Sequence, residues 1–247
     1  MVSDKHNITT DKGEKVDATA PVIISASRST DIPAFYAKWF FNRLAKGYCT
    51  WYNPFNINQK MYISFERCRV IVFWTKNPMP IIPYLPELDK RGIHYYFQVT
   101  LNDYVKEEFE PNVPSIEERV KTFKSLSDLI GKEKVIWRFD PLIITPNIGP
   151  RELLTRIWNV GNKLKGYTDK LVFSFVDVKA YRKVQNNLVK ETMLFSKEDV
   201  ENAEANLAQR IEIVEGLQKI RNAWHQEGWD VEMATCAEDI EDRKSVV

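Results

Sequence analysis

The run Val70-Ile71-Val72-Phe73-Trp74 carries no polar break. An unbroken apolar run of that length reads as a strand buried on both faces, which is what a parallel sheet covered by helices requires. Similar β-rich runs recur along the chain: Val22 to Ala26, His94 to Thr100 (HYYFQVT), Val135 to Phe139 (VIWRF), Leu171 to Val176 (LVFSFV) and Val231 to Thr235 (VEMAT). Helical patterns lie between them. Asp31 and Pro33 open one that carries Phe35, Trp39, Phe40 and Leu44 and stops at Gly47. A proline-rich start leads into another over about residues 81–90, and Ser115, with Glu118 three residues on, caps a third that runs to Gly131. Pro150 opens a fourth, ending near Gly166, and a long amphipathic stretch covers about residues 197–227 before Gly228. Cys49–Asn53 and Met61–Phe65 flank a turn-rich stretch and read as a hairpin or as irregular strands. The alternation gives about six β-then-α units with connections long enough for parallel crossovers. The predicted class is α/β: a partial (β/α) barrel of about six parallel strands, with a doubly wound open sheet as the alternative.

A chain of 247 residues, 44% hydrophobic, holds enough apolar material for one sizeable core. Residues 1–20 lack periodicity and aromatics and predict a polar, disordered tail, leaving 21–247 as a single domain. Lys+Arg total 35 against 34 for Asp+Glu, so a net charge of +1 gives no bulk attraction for nucleic acid. The cysteines Cys49, Cys68 and Cys236 form no CxxC pair, so neither a disulfide framework nor a cysteine-only metal site is expected. The polar N-terminus shows no secretory signal and no apolar run is long enough for a membrane span, so the default location is the cytoplasm with no membrane partner.

In β/α folds the chemistry sits at the C-terminal ends of strands, and here those ends are polar. The first strand runs into Ser25, Arg28 and Asp31; the second into Thr75, Lys76 and Asn77. Gln98 and Thr100 share a face of the third, since alternate residues of a strand point the same way. The fourth holds Arg138 and Asp140, also two apart, and the fifth holds Ser174 and leads to Asp177. The last leads to Cys236 and Glu238. Arg138 is the most informative of these, because a charge inside an apolar strand must be paired or must meet a ligand. The candidates for chemistry are Arg138, Asp140, Asp177 and Lys76. The others are candidates for holding a small-molecule ligand. Each has a plain structural alternative: Asp140-Pro141 as a strand-end turn, Arg138 with Asp140 as a closing ion pair, Asp31 as a helix cap. The backbone N–H groups of the helix that Asp31 opens, with Arg28 beside them, are a candidate anion site.

The blocks SRSTDIPAFY, VFWTKNP, YYFQVTLNDY, EPNVPSIEERV, VIWRFDPLIIT, SFVD and TCAEDI together resemble family 1848 of the bacterial domains of unknown function, over about Val22 to Ile240. The resemblance implies a core like that of the radical S-adenosylmethionine enzymes, with S-adenosylmethionine as cofactor and a C-terminal cysteine cluster holding a [4Fe-4S] centre. Such a centre needs three or four thiolates close together. After Cys236 this sequence has no further cysteine before Val247, so no iron–sulfur cluster is expected in it. It is expected to be a truncated or a degenerate member. The implied function is a radical S-adenosylmethionine-like enzyme scaffold. The alternatives are a non-catalytic ligand-binding module and a nucleic-acid repair or processing factor, the last not supported by net charge.

Overall fold

A computed structural model of the chain describes residues 5–27, 30–53, 56–192 and 194–235. The chain divides into two compact units that meet in sequence at Gln98 and Val99. Composition alone predicts one domain from residue 21 onward, because no linker-like stretch marks the boundary.

In the first unit, residues predicted to be a tail form a hairpin. β1 (Lys5–Thr9) pairs antiparallel with β2 (Lys15–Thr19), placing Ile8 opposite Val16 and His6 opposite Ala18. The turn closes with Thr10 N–H on Glu14 O and Gly13 N–H on Thr10 O, each at 2.9 Å, and Gly13 takes a φ of +81° that a side chain resists. The polar composition hides a short period-two pattern, His6/Ile8 and Val16/Ala18, too weakly apolar to read as strand without its partner. β3 (Ile23–Ser25) follows. The helix expected after Asp31 is split at Tyr36 into α1 (Ile32–Phe35) and α2 (Ala37–Lys46), with Gly47 at a φ of +79° closing the second. β4 (Tyr48–Asn53) and β5 (Asn56–Ser64) form the antiparallel hairpin, and β2 joins β5 through Thr19 and Ile63. β6 (Val70–Thr75) buries Ile71, Val72 and Phe73 but leaves Trp74 40% exposed, so its second face is not fully covered. The next helix, predicted over residues 81–90, begins as a 3-10 turn, Met79–Tyr84, and becomes α3 only over Leu85–Lys90. Pro80, Pro83 and Pro86 remove the donors a regular helix needs. The core of this unit centres on Phe40, whose ring meets Phe41, Phe65 and Phe73 edge-on at 5.6–5.8 Å.

β7 (His94–Thr100) alternates: Tyr95, Phe97 and Val99 are buried, while Tyr96, Gln98 and Thr100 are half-exposed. In the second unit α4 (Ile116–Ile130) starts at Ser115 with the expected capping box to Glu118. β8 (Val135–Leu142) runs three residues further than its apolar run, through Asp140 and Pro141. α5 (Pro150–Leu164), β9 (Lys170–Phe175), α6 (Arg182–Glu191), α7 (Leu207–Gln226) and β10 (Glu232–Thr235) complete it. The sequence pattern missed α6 and joined residues 197–227 into one helix. Instead, Val200–Ala203 is a 3-10 turn whose Ala203 carbonyl accepts from Ile144 N–H (3.0 Å), and Asn206 starts α7 afresh by a capping box with Gln209.

Among the described residues the strands make a four-stranded sheet, ordered β1-β2-β5-β4, and a six-stranded parallel sheet flanked by helices, ordered β10-β9-β8-β7-β6-β3. The class is α/β, and the six-stranded sheet does not close into a barrel. No helix among these residues is long and apolar enough to cross a membrane.

One face of β8 is defined by a tight packing notch. Trp137 and Trp224 are fully buried, and a Cβ added at Gly161 of α5 would lie 2.3 Å from the Trp224 ring and 3.2 Å from Trp137. Gly161→Ala is therefore expected to lower the free energy of unfolding by roughly 1–3 kcal/mol, the usual effect of overpacking a filled core. Urea denaturation monitored by tryptophan fluorescence measures it, and an unchanged midpoint would mean that the notch yields.

Candidate functional site at the strand ends

Alternation along β8 assigns its side chains to two faces. Trp137 turns towards α5 and α7, meeting Trp224 at a ring distance of 6.4 Å, so Arg138 and Asp140 turn the other way. Arg138 is only 3% exposed, and a guanidinium keeps its charge at any accessible pH. It is answered by Asp140: Nε donates to Oδ2 at 3.0 Å, and Nη2 donates to the same oxygen at closer range. Parallel pairing sets Arg138 beside Val172, and two residues on, the Ser174 hydroxyl of β9 donates to Asp140 Oδ1. The Asp140 side chain keeps 23% of its surface exposed.

The backbone of Asp140 is clamped as well. Asn102, just past β7, accepts from Asp140 N–H at 2.9 Å and donates to Asp140 O at 3.0 Å. The Tyr104 hydroxyl donates to Pro141 O (2.8 Å) and accepts from Ile143 N–H (3.1 Å). Burial raises the Tyr104 pKa, so the hydroxyl stays protonated and available as donor. The loop that carries these two residues is itself pinned by buried arginines. Arg156 of α5 grips Glu107 with two bonds, at 2.7 and 3.0 Å, and reaches Asp103 O at 2.6 Å. Burial works against the Arg156 charge, but the bonds to Glu107 and Glu152 outweigh it and hold its pKa above the ordinary value. Arg119 of α4 stands 3.5 Å from Glu110, which also accepts from Asn102 at 3.3 Å. Burial lowers the Arg119 pKa, and its Nε and Nη1 find no hydrogen-bond partner among the described residues.

Past the C-terminal ends of β8 and β9 lies a cleft of about 540 Å³ whose walls include Thr145, Lys179, Glu201 and Gln209. Glu204, also on its wall, accepts from the Val178 and Lys179 N–H groups, each at 2.6 Å. Among the described residues Asp177 is bonded to its own turn rather than to Arg138, Asp140 or Ser174. Its Oδ1 accepts from Ala180 N–H at 3.0 Å and shapes the turn.

The strand ends of the first unit are organised by backbone bonds. Asp31 spends one oxygen on Ala34 N–H (3.0 Å), capping α1, and the other on Lys76 N–H (2.8 Å). Thr75 accepts from Asn77 N–H at 3.0 Å, and Asn77 from Met79 N–H at 3.2 Å. Ser25 and the Lys76 side chain are exposed. Arg28, Cys236 and Glu238 lie outside the described residues. Cys49 is half-buried on β4, and Cys68 is buried with its thiol donating to Val70 O at 3.6 Å. Burial pushes the Cys68 pKa up to about 11, which favours thiol over the thiolate a metal would need. Among the described residues no three His, Cys, Asp or Glu side chains are grouped to hold a metal.

Strand-by-strand inspection of the sequence missed Asn102, Tyr104, Glu107, Glu110, Arg119 and Arg156. A signal existed for the two arginines: each interrupts the apolar stripe of an amphipathic helix, Arg119 beside Val120 and Phe123, Arg156 beside Leu153 and Ile157. A charge at such a place needs a buried partner.

The family model described as Domain of unknown function (DUF1848) matches residues 23–246. No curated protein matches the chain.

Asp140 accepts two bonds from the buried Arg138 guanidinium, so its removal takes a carboxylate away from a buried charge. Asp140→Ala is expected to lower the free energy of unfolding by roughly 3 kcal/mol, and Ser174→Ala by about 1–3 kcal/mol through a lost bond to a charged group. Chemical denaturation of both variants checks this, and an Asp140→Ala protein as stable as wild type would show that the guanidinium is compensated elsewhere.

Proposed function

The chain belongs to the DUF1848 family, and from that premise we propose that it is the scaffold of a radical S-adenosylmethionine-like enzyme, a partial-barrel core that takes this small molecule on the polar face of β8 and β9. One observation above all supports this. Asp140 is fixed by Arg138, Ser174 and Asn102 and keeps part of its side chain exposed, so an anchored acceptor stands at the end of a parallel sheet, where α/β folds place their ligands. A preset carboxylate beside hydroxyl groups suits the ammonium and ribose hydroxyl groups of S-adenosylmethionine, which are donors. The cleft past the same strand ends has the volume of a small-molecule site.

The iron–sulfur centre that such chemistry needs does not fit the described cysteines, because Cys49 and Cys68 sit on separate segments and Cys68 is held as a thiol. That mismatch favours a second reading, a ligand-binding module without radical chemistry. A nucleic-acid role at this face draws no support from the net charge of +1.

Thermal melts with and without S-adenosylmethionine test the ligand. Wild type is expected to rise in Tm, with a stabilisation approaching about 2.7 kcal/mol at a hundredfold excess over Kd. Arg138→Lys, which lacks the planar fork that fixes Asp140, is expected to lose that shift. A wild-type protein with no shift would sink the proposal. Anaerobic reconstitution separates the two readings. The purified chain is expected to take up no iron–sulfur cluster, and stoichiometric iron and sulfide would overturn the binding-module reading.

A further inference from the structure

We propose that the first unit carries a second binding site, on the side of the β4–β5 hairpin, that takes a nucleotide unit: an aromatic base joined to an anionic phosphate. The site is a cleft of about 570 Å³, within the range that holds a small organic ligand. Three elements wall it: the β1–β2 turn, α2 and one face of the hairpin. Pairing fixes that face, because Thr50 stands opposite Tyr62 and Tyr52 opposite Lys60. Residues directly opposite in an antiparallel pair point the same way.

The rings are the first argument. Trp39 on α2 is 44% exposed and Tyr52 on the hairpin 54%, and both line the same concavity. Bare aromatic faces in a concave place offer stacking surfaces, and a base stacks on them whatever its identity. The charges are the second. Asp11 is consumed by Arg43 at 2.8 Å and Lys46 at 3.3 Å, so its carboxylate is neutralised within the wall. Lys12 and Lys60 line the cleft against a single remaining acid, Glu14, and the Lys60 ammonium stands 5.4 Å from the Tyr62 ring centre. Stacking faces with an excess of ammonium groups fit a base with a phosphate better than a neutral sugar, which would want uncommitted carboxylates.

Rigidity is the third. Tyr48 accepts from Asp11 N–H through its hydroxyl at 2.7 Å and from Arg43 Nε through its carbonyl at 3.0 Å, while the Arg43 guanidinium lies 4.4 Å over its ring. The floor is thus set before a ligand arrives, which removes part of the ordering penalty of binding.

The experiment titrates the full chain at low salt with adenosine monophosphate, a short oligothymidylate and ribose 5-phosphate, reading binding by calorimetry. Adenosine monophosphate is expected to bind, and ribose 5-phosphate to bind at least about tenfold more weakly, because stacking supplies the difference. Tyr52→Ala is expected to weaken nucleotide binding by about tenfold with an unchanged Tm, since the ring is mostly exposed. Lys60→Ala, at another exposed position on the same face, is expected to weaken binding and flatten its salt dependence. An oligothymidylate that binds more tightly than the mononucleotide identifies a single strand as the source, and equal affinities identify the free nucleotide. The proposal is overturned if neither nucleotide probe binds, if ribose 5-phosphate binds as well as adenosine monophosphate, or if both variants bind as wild type does.

Discussion

A guanidinium placed inside a parallel sheet must be answered by a carboxylate that cannot wander, and much of the second unit follows from that need. Arg138 is answered by Asp140, yet Asp140 sits where β8 is ending and would have no fixed geometry alone. Asn102 supplies it by reciprocal bonds to the Asp140 backbone, and Tyr104 does the same for the next two peptides. Those two residues lie on a loop, so the loop must be held in turn. Glu107 and Glu110 hold it by reaching Arg156 on α5 and Arg119 on α4. A charge in the sheet is thereby anchored through a loop to two helices, by groups that are nearly all buried.

Polar residues gather at nearly every strand end of this chain, but polarity at a strand end does not by itself make a site. Asp31, Thr75, Asn77 and Asp177 each spend a side chain on a backbone N–H, doing the work of turns. Short polar side chains are favoured in turns for that reason. Arg138, Asp140 and Ser174 differ, because they are joined side chain to side chain across two strands. That difference separates side chains bonded to one another from side chains already committed to the chain's own path.

The parallel strands were legible because their apolar runs are long and β-branched or aromatic, and Arg138 stood out because a charge inside such a run is unfavourable unless answered. The spacing of Arg138 and Asp140 was enough to put them on one face. Ser174 as a partner of Asp140 was not readable, because it depends on the register between β8 and β9, which no local pattern encodes. Asn102 was hidden for a similar reason: its partner lies 38 residues away. The N-terminal hairpin escaped notice because its apolar face is thin and its pairing with β5 is long-range. The break between residues 203 and 207 falls where Ile144 N–H takes the Ala203 carbonyl, a long-range bond, and its one local signal is Asn206 with Gln209 three residues on, the capping box that starts α7.

The indole of Trp224 seated at Gly161 has a mechanical meaning. It stacks on Trp158 at 5.7 Å, lies 4.6 Å from Trp229 and donates to Asn162 at 2.8 Å, so the ring is held on several sides. A slide of α7 by one residue, about 1.5 Å along its axis, would drive it from the gap left by the one glycine of α5. Gly216 of α7 repeats the constraint from the other side, since a Cβ there would lie 2.2 Å from Leu154. The two helices are keyed to each other like a bolt in its keeper, and β8 is keyed to them through Trp137. The position of β8, and with it the sheet face that bears Arg138, is thereby tied to how α7 seats on α5.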